Sequence, residues 1–389
     1  MDSAVPLITK DDFRKRQNAA RQATEAAGFA ALLAVGRSFY DRPGDLAYLT
    51  GHFPPFPTAV FSEQSRGLGH AFFLLPVHGE PVLLTDPRRH RADLVAVADV
   101  RASADLGAAL IALLRERGLT AGTVAVAGDD LLPAPIDREL RAKLPGLTLV
   151  PDDAIVAALR RRKSAAEIDL LRAGGRAADA GIMAVRDLLT KPGVTERQLC
   201  AAGIAATMLA GADFVRYFRV HSGPWSSAGS RWPQATDRVI ADGEIVVVDN
   251  VGALGGYGFD VNRTLVKGEP GEQDRAMLET AARATDAAVA ACVAGARVSG
   301  VTTAARAVTD ASPFATSAPV MIGHAIGIET VELPYLEPES ETVLEPGMVL
   351  CIEPGIFISG GNGVSIEQEV VIREAGPPEV ITPTPLRLW

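Results

Sequence analysis

Residues 244–264 read EIVVVDNVGALGGYGFDVNRT and decide how the C-terminal half of the chain is organised. Residues 245–248 are β-branched and apolar, so they predict a buried strand that delivers Asp249 at its end. The glycine-rich GALGGYG predicts a reversal, and residues 259–264 predict a returning strand that carries Asp260. Such a hairpin sets two carboxylates side by side, which is costly unless a cation or a shared proton offsets their repulsion.

Three more residues of the metal-ligand type follow downstream. They are His324 in MIGHAIGIETVELP, Glu353 in PGMVLCIEPGIF and Glu367 in GNGVSIEQEVVI. Each lies in or beside an apolar, strand-like run bounded by glycine and proline, where an unpaired charge would be expensive. Four carboxylates and one imidazole that converge on one place would suit two divalent metal ions bridged by water, with Mn, Fe, Co and Zn all acceptable.

The order and spacing of these residues resemble those of the pita-bread metallopeptidase superfamily, which includes Xaa-Pro aminopeptidases, prolidases, methionine aminopeptidases and creatinase. Asp260 lies eleven positions after Asp249, and Glu367 lies fourteen positions after Glu353. The matching text is DNVGALGGYGFDVNRT, GHAIGIETVELPYL, LEPGMVLCIEPG and GVSIEQEVVI, in this order. The resemblance covers roughly the whole chain. It implies an α/β, creatinase-like N-terminal domain in residues 1–155 and an α+β pita-bread catalytic domain, duplicated around a curved antiparallel sheet, in residues 156–389.

The resemblance also implies roles for the five residues. It makes Asp249, Asp260, His324, Glu353 and Glu367 the ligands of two divalent ions, with manganese the first expectation and Co, Fe or Zn as alternatives. Asp260 and Glu367 would bridge the ions, and a metal-bridging hydroxide would attack an amide carbonyl. Glu353 would accept the proton of the nucleophilic water.

The chain departs from the peptidase pattern around this ligand set. Proline-specific members carry histidines at the positions of Val320 and Val331 and an arginine at the position of Ser365, whereas Glu332 is kept. These departures remove groups that stabilise an oxyanion and assist the leaving amine. His221, Arg231 or Tyr257 would have to supply that support. Candidates for substrate binding are His52, Trp232, Tyr257 and Glu332.

Three functions compete on this evidence. The first is a dinuclear metal-dependent hydrolase of a C–N bond that resembles Xaa-Pro aminopeptidases and dipeptidases. The second is a non-peptidase member of the same fold that acts on a small metabolite, as an ectoine-type hydrolase or a dimethylsulfoniopropionate-type lyase does. The third is a catalytically silent binding protein, although carboxylates gathered without a metal would repel one another.

Composition limits the partners and the location. The 389 residues allow two or three domains, and 48% hydrophobic with 22% charged residues is typical of a globular protein. A net charge of −9 argues against nucleic acid as a partner. Three widely spaced cysteines predict no disulfide framework, and neither a secretory signal nor a membrane-spanning run is evident. We therefore expect a cytoplasmic enzyme for a small molecule or short peptide, and the resemblance implies a homodimer.

Local signals predict several elements. Residues 11–28 form a predicted helix capped by Thr9, and FAALLAVG, LAYLTG, AFFLLPV and PVLLTD predict short strands. Residues 151–155 are interpreted as a bridge between domains. Ser164 with Glu167, and Thr195 with Gln198, are typical of helix starts. A further helix is predicted over residues 271–296.

Overall fold

The computed structural model describes residues 8–88, 90–227 and 232–389. The described chain divides into two units, Ile8–Arg160 and Arg161–Trp389. The division falls in the helix Ala154–Arg161, and the predicted boundary between residues 155 and 156 lies in the same helix. Residues 151–155 end a strand and begin this helix, so regular structure replaces the predicted bridge.

The N-terminal unit is a mixed sheet with helices. Its helices are α1 (Lys10–Ala26), α2 (Gly44–Thr50), α3 (Leu106–Glu116), α4 (Ala134–Lys143) and α5 (Ala154–Arg161). Its strands are β1 (Ala31–Arg37), β2 (His70–Pro76), β3 (Val82–Thr85), β4 (Asp99–Ala102), β5 (Ala121–Ala127) and β6 (Gly146–Pro151). Within the described ranges these strands form one six-stranded sheet in the order β4-β3-β2-β1-β5-β6. The pairs β1–β2 and β2–β3 are antiparallel, and the other pairs are parallel.

The predicted cap of α1 is confirmed, because the Thr9 hydroxyl accepts from the Asp12 backbone N–H in a capping box. The predicted strand LAYLTG is wrong, since these residues form most of α2. Every side chain from Leu46 to Thr50 is buried. The run therefore shows neither the alternation of polar and apolar residues typical of a strand nor the 3.6-residue period typical of a helix, and its pattern does not separate the two. Gly51 ends the helix in the left-handed region at φ 71°, a conformation that glycine adopts without strain.

The C-terminal unit opens with helices and continues with strands, and this order occurs twice. Its helices are α6 (Ala165–Leu189), α7 (Glu196–Leu209), α8 (Glu272–Ala291) and α9 (Val298–Asp310). Its strands are β7 (Phe214–Ser222), β8 (Ile245–Leu254), β9 (Tyr257–Val266), β10 (Gly323–Ala325), β11 (Glu332–Tyr335), β12 (Val349–Ile352), β13 (Gly355–Phe357), β14 (Gly363–Ser365), β15 (Gln368–Val371) and β16 (Glu379–Val380). The capping boxes at Ser164 and Thr195 are confirmed. Helix α8 ends at Ala291, earlier than predicted.

The decisive hairpin is longer than predicted. Strand β8 continues to Leu254, and only Gly255 and Gly256, at φ 60° and 78°, make the turn into β9. Asp249 therefore lies in the middle of its strand and not at its end. Gly252 stays within the strand because a Cβ there would come 2.4 Å from the Phe214 carbonyl oxygen. The glycines of GALGGYG thus serve close packing as well as the reversal.

Two further sheets meet this hairpin. Strands β7-β8-β9 form an antiparallel sheet, β11-β10-β12-β15-β16 form a five-stranded sheet, and β13 pairs with β14. The backbone N–H of Glu367 donates to the Asn262 carbonyl at 3.0 Å, and the Thr264 hydroxyl donates to the Ser365 carbonyl at 2.8 Å. These hydrogen bonds hold residues 365–367, between β14 and β15, against β9. The predicted α+β architecture with curved sheets is confirmed.

Candidate metal centre

Asp249 and Asp260 lie on one face of the β8–β9 hairpin. Asp249 is opposite Asn262 and Asp260 is opposite Val251, so the two carboxylates are diagonal neighbours on the same face. Together with Glu367 they form a buried group in which one carboxylate oxygen from each residue lies within 4.8 Å of the others. Strand register therefore brings together Asp249 and Asp260, two of the five predicted ligands.

Glu367 reaches the group because the backbone between β14 and β15 is anchored to β9. Its carbonyl oxygen accepts from Arg263, a fully buried side chain, in addition to the bond from its N–H to Asn262. Its Oε1 is buried and has no hydrogen-bond partner in the described part of the chain. Burial and the neighbouring carboxylates of Asp260 and Glu353 raise the pKa of Glu367 well above its usual value. A buried oxygen of this kind needs a cation or a proton.

His324 and Glu353 come from paired strands. His324 on β10 is opposite Cys351 on β12, and Glu353 follows β12 directly. The Nε2 atom of His324 lies 3.4 Å from Glu353 Oε1 and 3.8 Å from Asp260 Oδ2. On the other side of the ring, Nδ1 lies 3.0 Å from the Ala325 carbonyl oxygen. Only a protonated Nδ1 can donate to a carbonyl, so in the neutral ring Nε2 directs its lone pair at the carboxylates.

The five side chains fit a divalent metal ion. The structure brings together all the residues that the sequence predicted as ligands: Asp249, Asp260, His324, Glu353 and Glu367. A lone pair aimed at carboxylates is repulsive by itself, and it becomes favourable when a cation lies between them. Oxygen donors with one imidazole nitrogen suit Mn, Co, Fe and Zn.

Three side chains that sequence reasoning missed lie against this cluster. Arg219 on β7 is directly opposite Asp249 and forms an ion pair with it. Glu369 is fully buried, accepts the Asp260 N–H at 2.9 Å, and has its pKa raised to about 8 by burial. Cys351 has a sulfur within 4.8 Å of ligand atoms of His324 and Glu367. Glu369 lies two positions after Glu367, and Cys351 lies two positions before Glu353, so the alternation of side chains along a strand would have pointed to both. The position of Arg219 depends on strand pairing and could not be predicted in this way.

Two residues that were predicted to bind substrate make contacts within the C-terminal unit. Glu332 forms an ion pair with Lys163 at 3.0 Å, and the two side chains are 6% and 1% exposed. The hydroxyl of Tyr257 donates to Glu167 Oε1 at 2.8 Å, which joins the start of β9 to α6. The structure therefore places both residues in contacts between elements of the unit, and their role toward a substrate stays a prediction.

The predicted loop candidates have different positions. His221 is on β7, two residues beyond Arg219 and on the same face, and its Nε2 lies 3.0 Å from the Pro233 carbonyl oxygen. Trp232 is 80% exposed. Arg231, the other predicted catalytic residue of this loop, lies outside the described residues.

His52 belongs to the N-terminal unit, directly after the glycine that ends α2. The side chain is buried, and its Nε2 has no hydrogen-bond partner among residues 8–88, 90–227 and 232–389. Burial, with a smaller contribution from His90, lowers the pKa of His52 to about 4. The imidazole is therefore neutral at physiological pH, and any contact with substrate would be made by an uncharged ring.

We expect the low pKa of His52 to make the protein less stable in acid. The unfolded chain binds a proton at this residue below about pH 6.5, whereas the folded chain does so only near pH 4, so the free energy of unfolding falls as the pH falls through this window. The full loss is roughly 3 kcal/mol. The free energy of unfolding of His52→Leu, measured in urea at several pH values, should vary less with pH than that of the wild type. The exposed His78, changed to Leu, is the control, and equal slopes in all three proteins would contradict the assignment.

A unit that gathers four carboxylates and an imidazole on curved sheets is typical of metal-dependent hydrolases. The model of metallopeptidase family M24 matches residues 169–374, and that of the creatinase/prolidase N-terminal domain matches residues 16–162. The chain belongs to metallopeptidase family M24. The predicted resemblance to the pita-bread metallopeptidases is confirmed.

Known proteins are similar over nearly the full length. A probable dipeptidase PepE of Mycobacterium tuberculosis is 32% identical over 374 residues, which cover 94% of this chain and 93% of that protein. The crystal structure of dipeptidase PepE from Mycobacterium ulcerans has a TM-score of 0.81 at 30% identity and 98% coverage of both chains. The prolidase from Pyrococcus horikoshii OT3, at 22% identity, shares the fold with a TM-score of 0.82 over 96% of this chain and 100% of that one.

No helix in the described ranges combines the length and the apolar character needed to cross a membrane. Cytoplasmic location and a homodimer stay predictions.

Proposed function

We propose that the protein is a dipeptidase that uses divalent metal ions to hydrolyse the amide bond of a short peptide. The observation that carries this proposal is the buried cluster in which the His324 lone pair and four carboxylates face one another. The donor set is large enough for two ions that share Asp260 and Glu367. The names of the related dipeptidases support a peptide as the substrate.

A cation bound in the cluster supplies Lewis acidity, which polarises a carbonyl oxygen and makes water a stronger acid. The side chains of this protein differ in what they can do there. The Glu353 side chain is 29% exposed, whereas those of Asp249 and Asp260 are 5% and 11% exposed. Glu353 therefore has solvent on one side and the cluster on the other. This position suits the residue that takes a proton from the attacking water and passes it on.

Two positions that carry histidines in the proline-specific pattern are apolar in this chain. Val320 and Val331 replace histidines of the proline-specific pattern, and both are exposed, as is Leu333 on β11. Apolar groups at these positions cannot donate to an oxyanion, so that support has to come from elsewhere. His221 on β7 and Asn262 on β9 are two side chains with N–H groups that the described structure places on the same face as Asp249.

The proposal is tested by incubating the full chain with Mn²⁺ or Co²⁺ and a panel of Xaa-Pro and apolar, non-prolyl dipeptides. We expect release of free amino acids that stops when a chelator is added. Metal-loaded protein that cleaves no dipeptide would contradict the proposal. That outcome would favour the small-metabolite alternative, which the replacement of the histidines also favours.

Replacing Glu353 with Gln should lower kcat by about 10²–10⁴-fold, because the amide cannot accept the proton of water. The amide oxygen retains part of the ligand function, so we expect metal to be lost less than activity. Steady-state kinetics and elemental analysis on the same preparation measure the two effects. Glu374→Gln, at an exposed position, is the matched control. A Glu353→Gln enzyme that is as active as this control would exclude Glu353 as the proton acceptor.

A further inference from the structure

Cys351 is a buried cysteine whose side chain faces the polar side of its strand. Its neighbours on β12, Leu350 and Ile352, belong to a hydrophobic core cluster of the C-terminal unit, so Cys351 points to the opposite face of the strand. On that face it is directly opposite His324 on β10 and Glu369 on β15. A buried cysteine ordinarily packs as a small apolar side chain. The thiol of Cys351 lies instead among an imidazole and carboxylates.

The sulfur lies within reach of an ion that also contacts two of the predicted ligands. One nitrogen of His324, one oxygen of Glu367 and the sulfur of Cys351 all lie within 4.8 Å of one another. Bonds from a metal ion to nitrogen, oxygen and sulfur are about 2.0–2.3 Å long, so atoms that share one ion are separated by up to roughly 4.6 Å. Glu367 is 1% exposed, and its Oε1 has no hydrogen-bond partner within the described ranges. A buried oxygen without a partner, beside an imidazole and a thiol, indicates that a cation belongs between these three groups.

We propose that Cys351 is a further ligand of the metal centre, whose thiolate binds the ion that His324 and Glu367 hold. On binding, the S–H bond breaks, the sulfur donates an electron pair to the cation, and the proton is released to the solvent. Thiolate is a soft donor that favours Zn²⁺, whereas Mn²⁺ prefers oxygen ligands, so the sulfur biases the centre toward Zn²⁺ over Mn²⁺. The inference rests on the proposed metal-dependent function and specifies which ion the centre selects.

The test is the near-ultraviolet absorption of the full-length protein loaded with Co²⁺. A thiolate bound to Co²⁺ gives a sulfur-to-metal charge-transfer band, which nitrogen and oxygen ligands do not give. We expect the wild type to show this band, and Cys351→Ser to lose it while it keeps the visible absorption of bound Co²⁺. Cys200→Ser and Cys292→Ser, which alter the other two cysteines, are the matched controls and should keep the band. Cys351→Ala is a second variant in case the serine protein does not fold.

The affinities for Zn²⁺ and Mn²⁺, measured by equilibrium dialysis with elemental analysis, give a second result. In Cys351→Ser the Zn²⁺ affinity should fall by at least about 10–100-fold, the range that groups beside the ligands already supply, whereas the Mn²⁺ affinity should change by less than about 3-fold. A Co²⁺-loaded wild type without the charge-transfer band, or equal losses of Zn²⁺ and Mn²⁺ affinity in Cys351→Ser, would overturn the assignment of Cys351 and leave the metal-dependent function standing. A wild-type protein that binds none of the three ions would instead refute the proposed function itself.

Discussion

Replacing Asp260 with Ala should remove bound metal and lower kcat/KM by on the order of 10³-fold or more, since a bound ion contributes several kcal/mol to the transition state. Asp260 is one of two carboxylates that lie close both to His324 and to Asp249. One of its oxygens lies 3.8 Å from His324 Nε2, and it also belongs to the group formed by Asp249 and Glu367. Glu367 is placed in a similar way, because it has ligand atoms within 4.8 Å of both His324 and Asp249.

Metal content and activity should be measured on one preparation, with the exposed Asp187 changed to Ala as the control. Thermal unfolding gives an independent result. Without metal, Asp260→Asn should be more stable than the wild type, because one of several mutually repelling buried carboxylates is gone. Adding Mn²⁺ should then stabilise only the wild type. A metal-replete, active Asp260→Ala enzyme would disprove the assignment of the centre.

Replacing Lys163 with Met should destabilise the protein by about 3–5 kcal/mol, the range for removing one partner of a buried ion pair. Lys163 lies just before α6, and its ammonium group contacts Glu332 on β11 with both side chains almost fully buried. The variant leaves the Glu332 carboxylate without its cation in a site that water does not reach. The unfolding midpoint in urea, measured on the full chain, follows the change.

The double variant Lys163→Met with Glu332→Leu should recover most of that loss, because no uncompensated charge is then buried. The surface pair Arg297 and Glu341, with Arg297 changed to Met, is the control and should change stability by less than about 1 kcal/mol. Comparison of the single and double variants also tests the prediction that Glu332 binds substrate. If the double variant is stable and keeps its KM, Glu332 is structural; a raised KM with restored stability would support substrate binding.

The candidate ligand set could be predicted from the sequence because each of its members lies in a short, contiguous motif. Asp249, Asp260, His324, Glu353 and Glu367 are polar residues inside or beside apolar strands, and the structure gathers all five. Helix starts were equally accessible, since Thr9, Ser164 and Thr195 cap their helices through bonds to residues three positions along the chain. Local signals failed at α2, where complete burial removes the periodicity that separates helix from strand.

The sequence by itself determined the architecture, through its resemblance to a known family, and the order of the candidate ligands, because each motif that carries the resemblance is a contiguous stretch of the chain. Only the tertiary structure decided what each charge faces. Arg219 meets Asp249 through strand pairing, Lys163 meets Glu332 across the unit, and Tyr257 meets Glu167 on α6. Partners so far apart along the chain leave no local pattern, since their contact depends on the packing of whole elements against one another. The charge balance of the centre is therefore a property of the folded chain.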